Sequence, residues 1–234
     1  MNSTNTNIVI ETKKLCRNFG EGDTLVKALK DNDLVIEKGE FTAIIGPSGS
    51  GKSTLLQLIG GLDTPTSGDV ILDDKNISYM NGTELSDFRR DHIGFIFQAY
   101  NLIPVLSAKE NIEYIMLLQG ISEAERHSRV AKIMQEVGLD GLEQRRPAQL
   151  SGGQQQRVAV ARAMVSQPSL ILADEPTANL DSKTGAALLD MMKELNEKEN
   201  MTFVFSTHDP MIMERAKRII RLVDGKIVDD ERRV

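Results

Sequence analysis

The sequence predicts an α/β protein with a parallel sheet, an antiparallel β flank and an inserted helical lobe, and three observations lead there. Short, predominantly apolar runs at 41–45, 170–173 and 201–205 read as strands buried on both faces. A helical pattern follows each run, and strand-helix alternation implies parallel strands with ligands gathered at their carboxyl ends. The runs also lead into chemically loaded residues: Gly46 after the first, Asp174 after the second, and Ser206, Thr207 and His208 after the third.

Taken along the chain, 8–15, 25–36 and 69–72 read as strands broken by Gly and Asp turns such as Gly20-Glu21-Gly22 and Lys38-Gly39, which gives the antiparallel flank. From Gln98 to Leu150 the pattern becomes helical. Ser107 with Glu110 and Ser122 with Glu125 have the spacing of capping boxes, and Val130, Ile133, Met134 and Val137 form a stripe stopped by Gly138. Ser151 with Gln154 is a third box. It opens a helix whose stripe, Val158, Ala161 and Val165, is halted by Pro168. A last stripe, Leu188, Met191, Met192 and Leu195, reads as core packing, and 229–233 as a solvated tail.

With 234 residues the chain can bury one large core or one domain carrying an inserted lobe. Its 28 basic and 34 acidic residues leave a net charge of −6, which argues against a broad phosphate-backbone footprint and so against a nucleic-acid partner. The single cysteine, Cys16, can form no internal disulfide and is expected to be a buried structural thiol. No apolar run approaches the roughly 18 residues of a membrane helix, and the polar start at 1–7 lacks signal-peptide character. A soluble, cytoplasmic chain is therefore expected.

The chemistry concentrates in a few places. Gly46-Pro47-Ser48-Gly49-Ser50-Gly51-Lys52-Ser53-Thr54 fits the phosphate-binding P-loop and sits where its mechanism demands, between a strand and a helix. Its glycines let backbone N–H groups surround phosphate oxygens, Lys52 reaches the β- and γ-phosphates, and the Ser53 hydroxyl takes a place on Mg²⁺. At the next strand end Asp174 can hold the Mg²⁺ shell while Glu175 polarises a water, a division of labour that favours hydrolysis over transfer to an acceptor. Ser151, Gly152, Gly153 and Gln154 form a second anion-binding turn at a helix N-terminus. By its residue type alone, Gln98 reads equally as a strand cap, His208 as structural or phosphate-binding, and Phe19 as core or as a stacking face for adenine.

The P-loop, Gln98, the Leu150–Arg157 segment, the stretch from Leu170 to Thr177, Asn179-Leu180-Asp181 and His208 stand in an order that resembles the ATP-binding-cassette (ABC) ATPases. Gly60-Gly61-Leu62-Asp63, the run from Arg89 to Gln98 and Asn101-Leu102-Ile103-Pro104 look like the macrolide-exporter and lipoprotein-release branch. The resemblance implies a single ATP-binding domain over 1–234, with a RecA-like P-loop core and β flank at 1–97 and 166–234 and a helical subdomain at 98–165. It implies a homodimer closed on ATP, in which the P-loop of one copy and Ser151, Gly152 and Gly153 of the other enclose each nucleotide. Glu175 then matches the catalytic base, Asp174 and Gln98 serve Mg²⁺ and water, Asp181 lies between the sites, His208 holds the γ-phosphate and Phe19 stacks on adenine. Phe19 departs from the more usual Tyr, and polar Asn32 stands where an apolar residue is common. The partner implied is a separate membrane permease, met through 98–106, which places the chain at the inner face of the membrane; Tyr100, Leu102, Ile103 and Leu106 read either as its partly exposed contacts or as core of the helical lobe. A regulatory ATPase like the cell-division relatives, signalling without solute transport, is the alternative.

Overall fold

The apolar runs are apolar because both their faces are covered. In β3 (Phe41–Ile45) the side chains of Phe41, Ala43 and Ile45 enter one core cluster and Ile44 the other, as pleated alternation requires. The same split occurs in β7 (Leu170–Asp174) and β8 (Thr202–Thr207): Ile171, Ala173, Phe203 and Phe205 face one way, Leu172 and Val204 the other. The computed structural model describes residues 7–233, so positions 1–6 of the polar start and Val234 lie outside it.

The six-stranded sheet has the order β10-β9-β3-β8-β7-β6, with β6 at Ile93–Ile96, β9 at Arg218–Val223 and β10 at Lys226–Arg232. All neighbours are parallel except the β9–β10 hairpin. One face carries α1 (Lys52–Ile59), α2 (Gly82–His92) and a four-stranded antiparallel sheet of order β2-β1-β4-β5, built from β1 (Ile8–Phe19), β2 (Val26–Glu37), β4 (Ser67–Leu72) and β5 (Lys75–Asn76). The other face carries α3 (Ala108–Leu118), α4 (Glu123–Glu136), α5 (Gly152–Met164), α6 (Ser182–Glu199) and α7 (Pro210–Arg215). The stripes read from the sequence bury as expected: Val130, Ile133, Met134, Val158, Ala161, Leu188, Met191, Met192 and Leu195 are all core. Among the described residues no helix is long and apolar enough to cross a membrane.

The structure changes four local expectations. Strand β1 continues to Phe19 because β2 pairs with it as far as Val26. Ser122 does begin α4, yet its side chain makes no cap bond. Glu125 is drawn forward instead to Arg129, 2.8 Å away at the i,i+4 spacing. Cys16 is only partly buried, its Sγ donating to Asp31 Oδ1 and accepting from the Asp31 N–H, both at 3.2 Å. Finally, 229–232 is no tail: it is strand β10, held by β9 and by Arg218.

Arg218 is 6 % exposed and fully occupied. It donates to both Asp230 oxygens, at 2.8 and 2.6 Å, to Glu40 and to the Val35 carbonyl. Its hydrogen bonds hold the Asp230 carboxyl below the usual carboxylate range. A lowered folded-state value means stability that is present above the ordinary carboxyl pKa of about 4 and lost as pH falls through the folded value. Arg218→Met is expected to destabilise the fold by about 1–3 kcal/mol at neutral pH in urea denaturation, since Glu40 keeps Arg232 and Thr42 and Asp230 is 40 % exposed to water. The same variant flattens the loss of stability below about pH 4; an unchanged acid limb would remove the pair from this role.

Candidate active site

Register brings the loaded residues together. Ile45 pairs with Thr207 and Asp174 with Ser206, so the carboxyl ends of β3, β8 and β7 lie side by side, and Gly46, Glu175 and His208 follow within one residue of those ends. An open cleft of about 540 Å³ lies there, lined on one side by Ser48, Gly49, Gly51, Lys52, Ser53, Thr54 and Glu175. On the other side stand Val26, Lys27, Ala28 and Lys30 of β2 and the β9–β10 turn at Asp224 and Gly225.

The loop can close only with glycine at its ends. Gly46 has φ +156°, and a Cβ there would lie 2.0 Å from the Leu222 carbonyl oxygen; at Gly51, φ +103°, it would meet the Ala28 carbonyl oxygen at 2.5 Å. Gly51 also caps α1 without a side chain, so the first N–H groups of the helix are left for an anion. Lys52 Nζ donates to the Gly46 and Pro47 carbonyls at 2.9 and 3.1 Å, which centres its charge within the loop. Ser53 Oγ donates to Asp174 Oδ1 at 3.2 Å, two hard oxygens side by side at the loop's edge. Among the described residues no cluster of three or more His, Cys, Asp or Glu gathers for a metal. The Ser53 hydroxyl and the Asp174 carboxylate are the donor set that fits Mg²⁺, which takes one or two protein oxygens and fills its octahedron with phosphates and water.

Glu175 carries strain. Its φ of +46° is left-handed, a conformation that costs a non-glycine residue on the order of 1 kcal/mol or more. The backbone is held there by its N–H on the Ser206 carbonyl, at 2.9 Å. Its carboxylate accepts from Thr207 Oγ1 at 3.2 Å and from His208 Nδ1 at 2.7 Å. Since a carboxylate only accepts, Nδ1 of His208 carries the proton in this contact. Thr207 is itself oriented, accepting the Asp209 N–H at 2.9 Å.

Several expected site residues do not line this cleft. Gln98 lies two residues beyond β6, and its carbonyl accepts from Asn179 Nδ2 at 2.9 Å. Phe19, 41 % exposed, is not core; it ends β1 opposite Val26, at the cleft's rim, with the Arg17 guanidinium 4.6 Å from its ring centre. Asp181 caps α6, accepting from the Lys183 and Thr184 N–H groups, and its bond to the Thr184 hydroxyl holds its carboxyl below the usual range. The Ser151–Gln154 box forms as read, with Ser151 N–H to Gln154 Oε1 at 2.9 Å and Gln154 N–H to Ser151 Oγ at 3.3 Å. Ser151 is exposed, and none of Ser151, Gly152, Gly153 or Gln154 reaches the cleft of its own chain.

Polar residues outside the expected site set tie these loops together. Buried Gln156 donates to the Pro176 carbonyl at 2.7 Å, linking α5 to the turn after Glu175. Arg162 donates to the carbonyls of Tyr100 and Asn101, both left-handed at φ +61° and +48°. Asn111 donates to the carbonyls of Ile103, Leu106 and Ser107. Asn32, the apparent departure, is buried and pins the β9–β10 turn, donating to the Gly225 carbonyl and accepting from the Ile227 N–H, each at 2.8 Å. That turn in turn donates from Gly225 N–H to the Ser50 carbonyl of the loop. A buried polar residue within an apolar pattern was the available signal.

Such a fold and site define a P-loop ATPase of the ATP-binding-cassette type. The chain belongs to the ABC transporter family, which matches residues 29–178. It is 48 % identical over 222 residues to a macrolide export ATP-binding/permease protein, MacB, of Mannheimia succiniciproducens, covering 95 % of this chain and 34 % of that protein. The chain thus spans about a third of the length of that relative. It is 44 % identical over 220 residues to the lipoprotein-releasing system ATP-binding protein LolD of Legionella pneumophila, covering 94 % of this chain and 97 % of that one. A solved dimeric ATP-binding cassette in a post-hydrolysis state bound to ADP and Pi superposes with a TM-score of 0.87 at 43 % identity, over 95 % of this chain and 98 % of that one. The fold class read from the sequence is the one observed, and the chain is an ATP-binding, ATP-hydrolysing cassette.

Proposed function

We propose that this cassette drives a membrane partner of the macrolide-export or lipoprotein-release kind by closing, head to tail with a second copy, on two Mg-ATP. The carrying observation is the Ser151–Gln154 box: a helix N-terminus presented at the surface, able to bind phosphate, that does not reach the nucleotide cleft of its own chain. A second copy supplies the phosphate it lacks. The whole chain acts as one ATP-binding domain, with 98–165 as the helical part that carries this turn to the other copy.

Within each site the backbone of 46–51 and Lys52 bind the β- and γ-phosphates, and Phe19 stacks on the base. Ser53 and Asp174, with Gln98 beside the attacking water, hold Mg²⁺. That ion neutralises charge on the phosphate oxygens when bound. Glu175 takes the proton from the attacking water while Thr207 holds its carboxylate in line, and His208 exchanges its contact with Glu175 for one in which its N–H donates to the γ-phosphate. Asp181 orders the start of α6 beside Gly153, where an added Cβ would lie 2.5 Å from Thr184 Cγ2, so the turn that meets the other copy is backed by the first turn of α6. Hydrolysis removes contacts shared by both copies, and the dimer opens.

Partner docking falls to the loop after Gln98. Tyr100, Leu102, Ile103 and Leu106 are half-buried there, and Leu102 packs on the core. The freer apolar surface is Val105 at 71 % exposure, with Tyr114, Leu117 and Leu118 on α3. This surface, at the inner face of the membrane, receives the permease.

The dimer is tested by Ser151→Arg. Monomeric ATP binding is expected to match that of the parent chain, while the ATP-dependent dimer disappears in size-exclusion chromatography with Glu175→Gln as the trapping background. A dimer that persists refutes the head-to-tail arrangement.

A further inference from the structure

Phe19 lacks the hydroxyl that would anchor a tyrosine ring at this position, so only what packs on its face sets its orientation. One face is taken by Arg17, two residues earlier and on the same side of β1, with its guanidinium carbon 4.6 Å from the ring centre. Phe19 nevertheless stays 41 % exposed and pairs with Val26, which lines the cleft. Arg17 is itself held: Nη2 donates to Asp63 Oδ1 at 2.8 Å, both side chains being 23 % exposed. Asp63 lies in the turn that closes α1, its N–H on the Gln57 carbonyl and its Oδ1 also accepting from the Thr64 N–H. Arg17 Nε is buried with no partner among the described residues, so the guanidinium sits where it serves the ring and Asp63 rather than where all its donors are satisfied.

We infer that Arg17 is a positioning residue for nucleotide binding: braced by Asp63, it holds the Phe19 ring as a platform for the base and ties that platform to the helix that carries the phosphate loop. This deepens the proposed base-stacking role of Phe19 and rests on it. The base would complete a three-layer stack of guanidinium, phenyl ring and adenine. One salt bridge would then set the distance between the base end and the phosphate end of the site.

The test compares ATP with inorganic tripolyphosphate, which presents the phosphates without a base, on the full chain. Arg17→Met keeps the apolar stem and removes the cation. It is expected to weaken ATP binding about three- to ten-fold, the range of a partly exposed cation–π contact, and to leave tripolyphosphate unchanged. Arg17→Lys, which keeps a cation without the planar fork, recovers part of the loss. Unchanged ATP affinity in Arg17→Met overturns the inference, and so does an equal loss for both ligands, which would place Arg17 with the phosphate loop. Phe19→Leu separates the two layers of the argument: it should weaken ATP alone, and wild-type ATP affinity there overturns the base-stacking role itself. If Arg17→Met does not fold, Asp63→Asn, which frees the guanidinium, gives the same readout in the same direction.

Discussion

Glu175→Gln is expected to bind ATP as the parent chain does, to turn over roughly 10²-fold or more slowly, and to accumulate as an ATP-bound dimer. The amide keeps the size of the side chain and can still accept from Thr207 or His208, so the ground state changes little. What it loses is the ability to take a proton from water, and a positioned general base contributes about 10²–10⁴-fold. Asp174 is poorly placed to replace it, because its carboxylate is engaged with Ser53 at 3.2 Å on the loop side. Phosphate release, equilibrium ATP binding and size-exclusion chromatography together check this, and near-normal turnover would falsify the base assignment. The left-handed backbone of Glu175 is kept by this substitution, so the loss reports the carboxylate alone. Strain held by the Ser206 carbonyl is stored where the carboxylate must point, so the geometry is specific to this residue and its neighbours.

Lys52→Ala is expected to weaken ATP binding by about 10- to 100-fold, as loss of a charge-assisted contact of roughly 1.5–3 kcal/mol requires. Its Nζ donates to two carbonyls of its own loop, so the substitution removes both the charge and the brace that closes 46–52. Lys27 and Lys30 also line the cleft, a feature no motif announces. They belong to β2 of the antiparallel sheet and not to the loop that surrounds the phosphates, which predicts a smaller loss when either is replaced. Titration calorimetry decides the matter, since wild-type affinity in Lys52→Ala would move the phosphate site onto those two residues.

Much of this was legible in advance because local chemistry is read locally. A P-loop needs glycines at Gly46 and Gly51 and a cation at Lys52 within a few residues of each other, and the strand before it and helix after it carry their own periodicity. Capping at Ser107 and Ser151 was equally local, and both boxes form. At Ser122 the box does not form: its side chain makes no cap bond, and the Glu125 side chain pairs one turn on with Arg129. The 229–232 segment was misread because charge suggested solvent; its exposed side chains are those of an edge strand, whose pairing with β9 leaves no mark in composition.

By itself, then, the sequence determined the alternation of buried strands and helices, the identity of the phosphate loop and the acidic pair after β7, since each depends on neighbours along the chain. Tertiary structure alone decided which strand ends meet, because β3, β7 and β8 are far apart in sequence and only the register of the parallel sheet sets Gly46, Glu175 and His208 at neighbouring strand ends. It alone decided that Asn32, Gln156 and Arg162 act as ties between loops, since the carbonyls they satisfy belong to distant segments. It alone showed Arg17 lying over Phe19 and braced by Asp63, 46 positions away, a contact that long-range packing creates and no local pattern encodes.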